Sequence, residues 1–178
     1  MMSTSSYSLA RTFLVILTLA TAMIGASATS SVAGKRAPLG YQLMCLENPA
    51  ECRGGGKSSV VVTDDVMVVL KRVNSMVNRS IKPRRDQGAD VWSVNASSGD
   101  CEDYVLAKRR ALIKSGLPPS ALRIAYVKTR KGEGHAILIV KTNGKDLVLD
   151  NLNGKVRPLS QSGYRILSMS GADPLGWS

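Results

Sequence analysis

The chain has 178 residues and a mass of 19.0 kDa, which is enough for one domain with a substantial core. Its formal net charge of +11 and pI near 9.9 favour anionic partners in general. Only 4% of the residues are aromatic, and no basic patch is interleaved with the aromatic rings that single-strand binders use. We therefore expect a solvated basic surface and no nucleic-acid partner.

The first residues have the pattern of a secretory signal peptide. Arg11 precedes the apolar run TFLVILTLATAMI, and small residues follow, including Ala26-Ser27-Ala28. We predict that residues 1–28 direct export to the periplasm or the exterior and are then cleaved. The alternative is a membrane anchor, but this run has about 13 residues where a spanning helix needs about 20. No transmembrane segment is predicted in the mature chain.

Residues 29–58 contain many glycines and prolines, which predicts an irregular arm ahead of a domain at residues 59–178. In an exported chain, Cys45 and Cys52 are expected to form a disulfide within the arm. That pairing leaves Cys101 as an odd thiol, which is a candidate reactive cysteine.

The run GGGKSS within the arm is similar to a phosphate loop. That motif needs a glycine at position 51, where the chain has Glu51, and no strand precedes it. We therefore predict no nucleotide site and no organic cofactor.

Helices are predicted in the first half of the domain. Thr63 or Asp64 caps the first helix and Pro83 stops it. Its apolar face has helical spacing and consists of Val66, Leu70, Val73, Val77 and Ile81. A loop with Trp92 follows at residues 86–100, and a second helix runs from Cys101 to near Gly116.

Strands are predicted in the second half, at residues 122–128, 135–141 and 146–152. Helices followed by strands indicate an α+β fold with an antiparallel sheet. The residues expected to lie in the core are Leu106, Ala107, Ile137, Ile139, Val148 and Leu149.

The last two predicted strands are joined by Asn143-Gly144, which favours a two-residue type I′ turn. With that turn, Ile137 faces Asp150 on the neighbouring strand. Residues two apart share a sheet face, so His135 and Asp150 are predicted to lie diagonally on one side. A bulge or a longer loop would shift this register and separate them.

Cys101, His135 and Asp150 together supply the parts of an activated nucleophile. We predict that Cys101 attacks a carbonyl as a thiolate, that His135 exchanges its proton, and that Asp150 orients the imidazole. A helix N-terminus and an imidazolium both lower the pKa of a thiol.

The carboxylates beside Cys101 need a separate explanation, because negative neighbours oppose thiolate formation. Asp100 and Glu102 are expected to point away from the thiol, and hard oxygen ligands suit Ca²⁺. One hypothesis is that calcium bound at Asp100 and Glu102 removes their repulsion. The alternative is that they only cap the helix.

Two stretches, GDCEDYVLAKRRAL and GEGHAILIVKTNGKDLVLDN, resemble the bacterial transglutaminase-like cysteine proteinases. The resemblance runs from about Asp90 to Asn151, and the tail SGADPLGW and the arm YQLMCLENPAEC also match exported members. It implies a papain-like, transglutaminase-like fold in which N-terminal helices, including the nucleophile helix, pack on an antiparallel sheet. It also implies that Cys101, His135 and Asp150 form the catalytic triad.

The same resemblance implies a periplasmic endopeptidase that acts on a protein substrate, a large surface adhesin, under a regulatory partner in the inner membrane. It implies calcium at the acidic pair beside the nucleophile, and it leaves the backbone amide of Cys101 as an oxyanion donor and Trp92 as a candidate pocket residue. Two alternatives stay open. The same triad serves a transglutaminase or acyltransferase, and the chain could be a non-catalytic periplasmic binding protein.

Overall fold

A computed structural model describes residues 36–178 of the chain. The predicted signal peptide, residues 1–28, lies outside the described residues. Between residues 36 and 178, no helix has both the length and the apolar character needed to cross a membrane.

The segment predicted as an irregular arm contains a helix, so that prediction is wrong for residues 39–52. Helix α1 spans Leu39–Glu47, and a 3₁₀ turn spans Pro49–Cys52. Tyr41 is fully buried, with its ring edge-on to the rings of both Trp92 and Trp177. The prolines and glycines around this segment led to the prediction of an irregular arm, although the buried residues Tyr41, Met44 and Cys45 have helical spacing.

One link closes the arm on itself, and another holds it to the rest of the domain. Cys45 and Cys52 are joined by a disulfide. The buried guanidinium of Arg109 donates hydrogen bonds to the backbone carbonyls of Glu51, Arg53 and Leu122. The arm is therefore part of the core.

The two predicted helices are present. Helix α2 spans Asp64–Ser80, and the Thr63 hydroxyl caps it by accepting a hydrogen bond from the amide of Val66 at 3.2 Å. Helix α3 spans Cys101–Lys114 and packs on the sheet. Between them, β1 (Lys82–Pro83) pairs in parallel with β2 (Ser98–Gly99).

A five-stranded antiparallel sheet forms the second half of the domain. Its strands are β3 (Leu122–Lys128), β4 (Gly134–Val140), β5 (Leu147–Leu149), β6 (Arg157–Pro158) and β7 (Arg165–Met169). Their order across the sheet is β6-β5-β4-β3-β7, with every neighbouring pair antiparallel. The predicted α+β class is therefore confirmed, although β6 and β7 were not predicted.

The register between β4 and β5 agrees with the prediction, because Leu138 pairs with Leu149 and Val140 with Leu147. The predicted turn type is wrong. A type I′ turn needs positive φ at Gly144, and Gly144 is not among the glycines with positive φ. Instead, the Asp146 carboxylate accepts a hydrogen bond from the amide of Thr142 at 3.2 Å, and Asn143 donates to Val60.

The sheet buries apolar side chains on both faces. One face packs against the three helices. The other face carries a smaller apolar cluster, against which Leu159, Tyr164 and Met169 pack; its members are Ala125, Val127, Ile137, Ile139 and Val148. Of the residues predicted for the core, Ala107 is only half-buried, while the other five are buried.

Replacing Ile137 by Ala is expected to lower the free energy of unfolding by about 2 to 5 kcal/mol, because the fully buried side chain would leave a cavity. Ile166 in the same sheet is 38% exposed, so Ile166→Ala is expected to cost less than about 1 kcal/mol. Urea denaturation of both variants measures this difference. Equal losses in the two variants would contradict the placement of Ile137.

Candidate active site

The pairing of β1 with β2 sets the geometry around the start of α3. The amide of Arg84 donates to the carbonyl of Gly99 at 2.8 Å, and the Tyr104 hydroxyl donates to the carbonyl of Ile81 at 2.7 Å. These bonds fold the loop that follows β1 back over the helix start. Asp86 therefore lies beside Asp100, fourteen residues further along the chain.

Cys101 is the first residue of α3 and is half-buried. Asp100 occupies the N-cap position, but its side chain makes no capping hydrogen bond. Asp103 instead accepts a hydrogen bond from the amide of Ser93 at 2.7 Å, and it lies so close to Gly99 that any β-carbon there would clash. Ordinary capping therefore does not explain Asp100.

Three carboxylates gather next to the thiol. Asp86, Asp100 and Glu102 each place an oxygen within 4.8 Å of the others. Glu102 is buried, and one oxygen of Asp100 is buried without a hydrogen-bond partner among the described residues. The oxygens of this cluster are hard ligands that fit a calcium ion.

Glu102 does not point away from Cys101, so that expectation is wrong. The Cys101 thiol donates a hydrogen bond to Glu102 Oε2 at 3.1 Å. Burial raises the pKa of Glu102 to about 9, and a hydrogen bond with Asp90 adds to the shift. Burial and the neighbouring Glu102 also raise the pKa of Cys101 well above its ordinary value. This environment favours the protonated thiol over the thiolate.

His135 is the second residue of β4 and lies against Asp150. Nε2 of His135 is 2.8 Å from Oδ1 of Asp150, and both side chains are almost fully buried. The Tyr164 hydroxyl donates to the other oxygen of Asp150 at 2.5 Å. Burial raises the pKa of Asp150, but hydrogen bonds from His135, Tyr164 and Leu152 outweigh it and bring the pKa below its ordinary value. Asp150 is therefore a carboxylate positioned to orient the imidazole.

Cys101 and His135 line one cleft of about 670 Å³, and Asp86, Asp100 and Glu102 line it with them. Asp150 lies behind His135, in the protein interior. The amide of Ala136, next to His135, hydrogen-bonds the Cys101 sulfur and lowers its pKa, although less than burial and Glu102 raise it. The structure therefore brings the Cys101 thiol, the strand that carries His135 and the carboxylate cluster together at one cleft.

One residue that the sequence assigns to the pocket lies elsewhere, and one residue of the site was not predicted. Trp92, a candidate pocket residue, is buried against Tyr41 and donates to Asp90 at 2.8 Å, so it belongs to the core and not to the cleft lining. Tyr164 touches Asp150 and was missed. It lies in a segment without apolar periodicity, and no sequence signal connects it to the hairpin.

Lys108 is an unusual core residue on α3. Its side chain is fully buried, and its ammonium nitrogen has no hydrogen-bond partner within residues 36–178. The nitrogen lies 5.8 Å from the centre of the Tyr104 ring. Burial lowers the pKa of Lys108 to about 7, although Asp150 opposes the shift.

Replacing Lys108 by Met is expected to raise the free energy of unfolding at pH 7 by about 1 to 4 kcal/mol. The folded pKa lies below the unfolded one, so between about pH 7 and 10 the unfolded wild type binds more protons and its stability rises with pH. The advantage of the variant should therefore shrink towards pH 10. Urea denaturation across this range measures it, with Lys114→Met at an exposed position of α3 as the control. A stability gain of Lys108→Met that is absent at pH 7, or that does not change with pH, would contradict the lowered pKa of Lys108.

The helix-and-sheet architecture and the cleft around Cys101 define a transglutaminase-like, papain-like fold. A family model described as bacterial transglutaminase-like cysteine proteinase matches residues 32–178, and the chain belongs to this family. No sequence among the curated proteins matches significantly.

Solved structures of Legionella pneumophila LapG are similar to this chain. Legionella pneumophila LapG in its calcium-bound form has 28% identity, covers 60% of this chain and 66% of its own, and gives a TM-score of 0.53. The EGTA-treated form has 26% identity, covers 58% and 62%, and gives the same TM-score of 0.53. The matched region therefore spans slightly less than two thirds of the LapG chains.

Proposed function

We propose that the protein is an exported cysteine endopeptidase that cleaves peptide bonds through an acyl thioester on Cys101. One observation carries this proposal: Cys101 and His135 line the same cleft, and Asp150 contacts His135 from the buried side. Membership of the proteinase family supports it. The Cys45–Cys52 disulfide supports export, because disulfides persist in oxidising compartments.

In the proposed reaction, the Cys101 thiol gives its proton to Nδ1 of His135, since Nε2 faces Asp150. The thiolate attacks the substrate carbonyl, and His135 returns the proton to the leaving amine. A water molecule, deprotonated by His135, then hydrolyses the thioester. The first amides of a helix have no partner within it, so the Cys101 amide is the proposed oxyanion donor.

We propose that Asp86, Asp100 and Glu102 hold calcium. When bound, the ion supplies positive charge that offsets the carboxylates beside the thiol. The close approach of the three side chains and the unpaired Asp100 oxygen support this assignment. A calcium-bound form of LapG is also consistent with it.

We propose further that the substrate is a large surface adhesin, cleaved in the periplasm or at the exterior, and that a partner in the inner membrane regulates the enzyme. The resemblance to exported members of the family supports these two assignments.

The test is incubation of the oxidised protein with calcium and a degenerate peptide library, with and without cadaverine, followed by mass spectrometry. Hydrolysis that is lost in Cys101→Ala supports the peptidase. Products carrying cadaverine would instead favour an acyltransferase. No product, with intact folding and no labelling of Cys101, would favour a non-catalytic binding protein.

A further inference from the structure

A second cavity of about 460 Å³ adjoins the active-site cleft. The two share Thr129, Glu133 and Leu152 in their linings, so they are direct neighbours. Tyr164 also lines the second cavity, and its ring lies edge-on to His135 with 5.8 Å between the ring centres. The second cavity therefore opens on the His135 side of the cleft.

Three basic side chains line this cavity: Arg130, Lys131 and Arg157. Glu133, on the shared rim, is the single carboxylate among its lining residues. The cavity therefore has a net positive lining. The active-site cleft, by contrast, is lined by the carboxylate cluster of Asp86, Asp100 and Glu102.

Two of the basic side chains lie against neighbouring residues. The Arg157 guanidinium lies 5.5 Å from the centre of the Tyr164 ring and 3.8 Å from Asp150, and its Nε is buried without a partner in the described part of the chain. Arg130 lies against Gly163, where a β-carbon would come within 2.1 Å of its Nε. Gly163 has φ +73°, so its conformation also favours glycine.

The direction of the proposed reaction decides which part of a substrate meets this cavity. The acyl carbon binds Cys101, while His135 gives its proton to the leaving amine. The residues after the scissile bond must therefore leave the cleft on the His135 side. The two arginines there favour a carboxylate, which guanidinium groups bind with matched geometry.

We propose that the second cavity is a subsite for an aspartate or glutamate side chain located shortly after the scissile bond. This inference rests on the proposed peptidase function. Arg130 and Lys131 contact the carboxylate from the open side, and Arg157 does so from the buried side.

The experiment profiles cleavage of the degenerate peptide library by the oxidised wild-type protein with calcium, then by the double variant Arg130→Gln/Lys131→Gln. The matched control is Lys145→Gln/Lys155→Gln, which removes the same charge at exposed positions outside both cavities. We expect wild type and control to enrich aspartate or glutamate within the first three positions after the cleaved bond. In the double variant, we expect this enrichment to be about 3- to 10-fold smaller. Cleavage of peptides that lack acidic residues should stay unchanged.

Cleavage without acidic enrichment, or enrichment equal in the double variant and wild type, would overturn the subsite and leave the peptidase function standing. If no peptide is cleaved by folded protein, the peptidase function fails, and the subsite fails with it. A binding readout adds a separate check: hexaglutamate should slow alkylation of Cys101 by iodoacetamide more in wild type than in the double variant, and hexaglutamine should not. Equal protection in both proteins would also overturn the subsite.

Discussion

Replacing Asp150 by Asn is expected to lower kcat for peptide cleavage by about 10⁴-fold, the size of effect that the same change has in a serine protease triad. Asp150 accepts from Nε2 of His135, which leaves Nδ1 as the nitrogen that takes the thiol proton. An asparagine amide in its place can turn an N–H towards the imidazole and stabilise the wrong tautomer.

Peptide cleavage and thermal unfolding of Asp150→Asn should be measured side by side. The matched control is Asp146→Asn on the same hairpin, where the carboxylate pairs with Lys141 away from the cleft. We expect that control to keep its rate. A folded Asp150→Asn variant within tenfold of the wild-type rate would show that Asp150 does not orient His135.

Replacing Asp86 by Asn is expected to weaken calcium binding by at least about 10-fold, because a charged ligand is lost and even the loss of an outer-shell group costs that much at metal sites. Asp86 is half-buried, and its carboxylate also accepts a hydrogen bond from the amide of Val91 at 2.6 Å. The same substitution should make Cys101 alkylation less responsive to added calcium, because the carboxylates beside the thiol would stay uncompensated.

Calorimetric titration with calcium chloride tests this, with Asp65→Asn at an exposed position of α2 as the control. We expect Asp65→Asn to bind as wild type does. If Asp86→Asn and wild type bind calcium equally, Asp86 is not a ligand. If wild type binds no calcium at millimolar concentration, the calcium assignment fails as a whole.

The hairpin could be predicted from the sequence because two short apolar runs flank the Asn143-Gly144 connection, which leaves few registers. Leu138 pairs with Leu149 as expected, although the Asn143-Gly144 turn is not of the expected type. The side chain of Asp146 binds the amide of Thr142 and closes the connection by a different route. Both strands are buried on both faces, so a shift by one residue would exchange their side chains between the two apolar clusters and disrupt the packing of each.

The carboxylate cluster could be predicted only in part, because adjacency in the chain locates Asp100 and Glu102 but not Asp86. Asp86 lies beside them because β1 pairs with β2 over two residues. Strands this short show no alternating apolar pattern in the sequence. The predicted orientation of Glu102 was also wrong, because its carboxylate lies against the Cys101 thiol at the start of α3. Contacts between distant segments, such as that of Tyr164 with Asp150, depend on tertiary packing and leave no local signal.

The central claim is that Cys101 becomes a thiolate paired with His135 when the carboxylate cluster holds calcium. The most direct measurement is the pH profile of Cys101 alkylation by iodoacetamide in wild type and His135→Ala, each with calcium and with chelator, with folding checked by circular dichroism. We predict fast labelling well below pH 8 in wild type with calcium, slower labelling with chelator, and loss of the fast reaction in His135→Ala. Slow labelling with an ordinary thiol pKa of about 8.5 in all four samples would contradict the account.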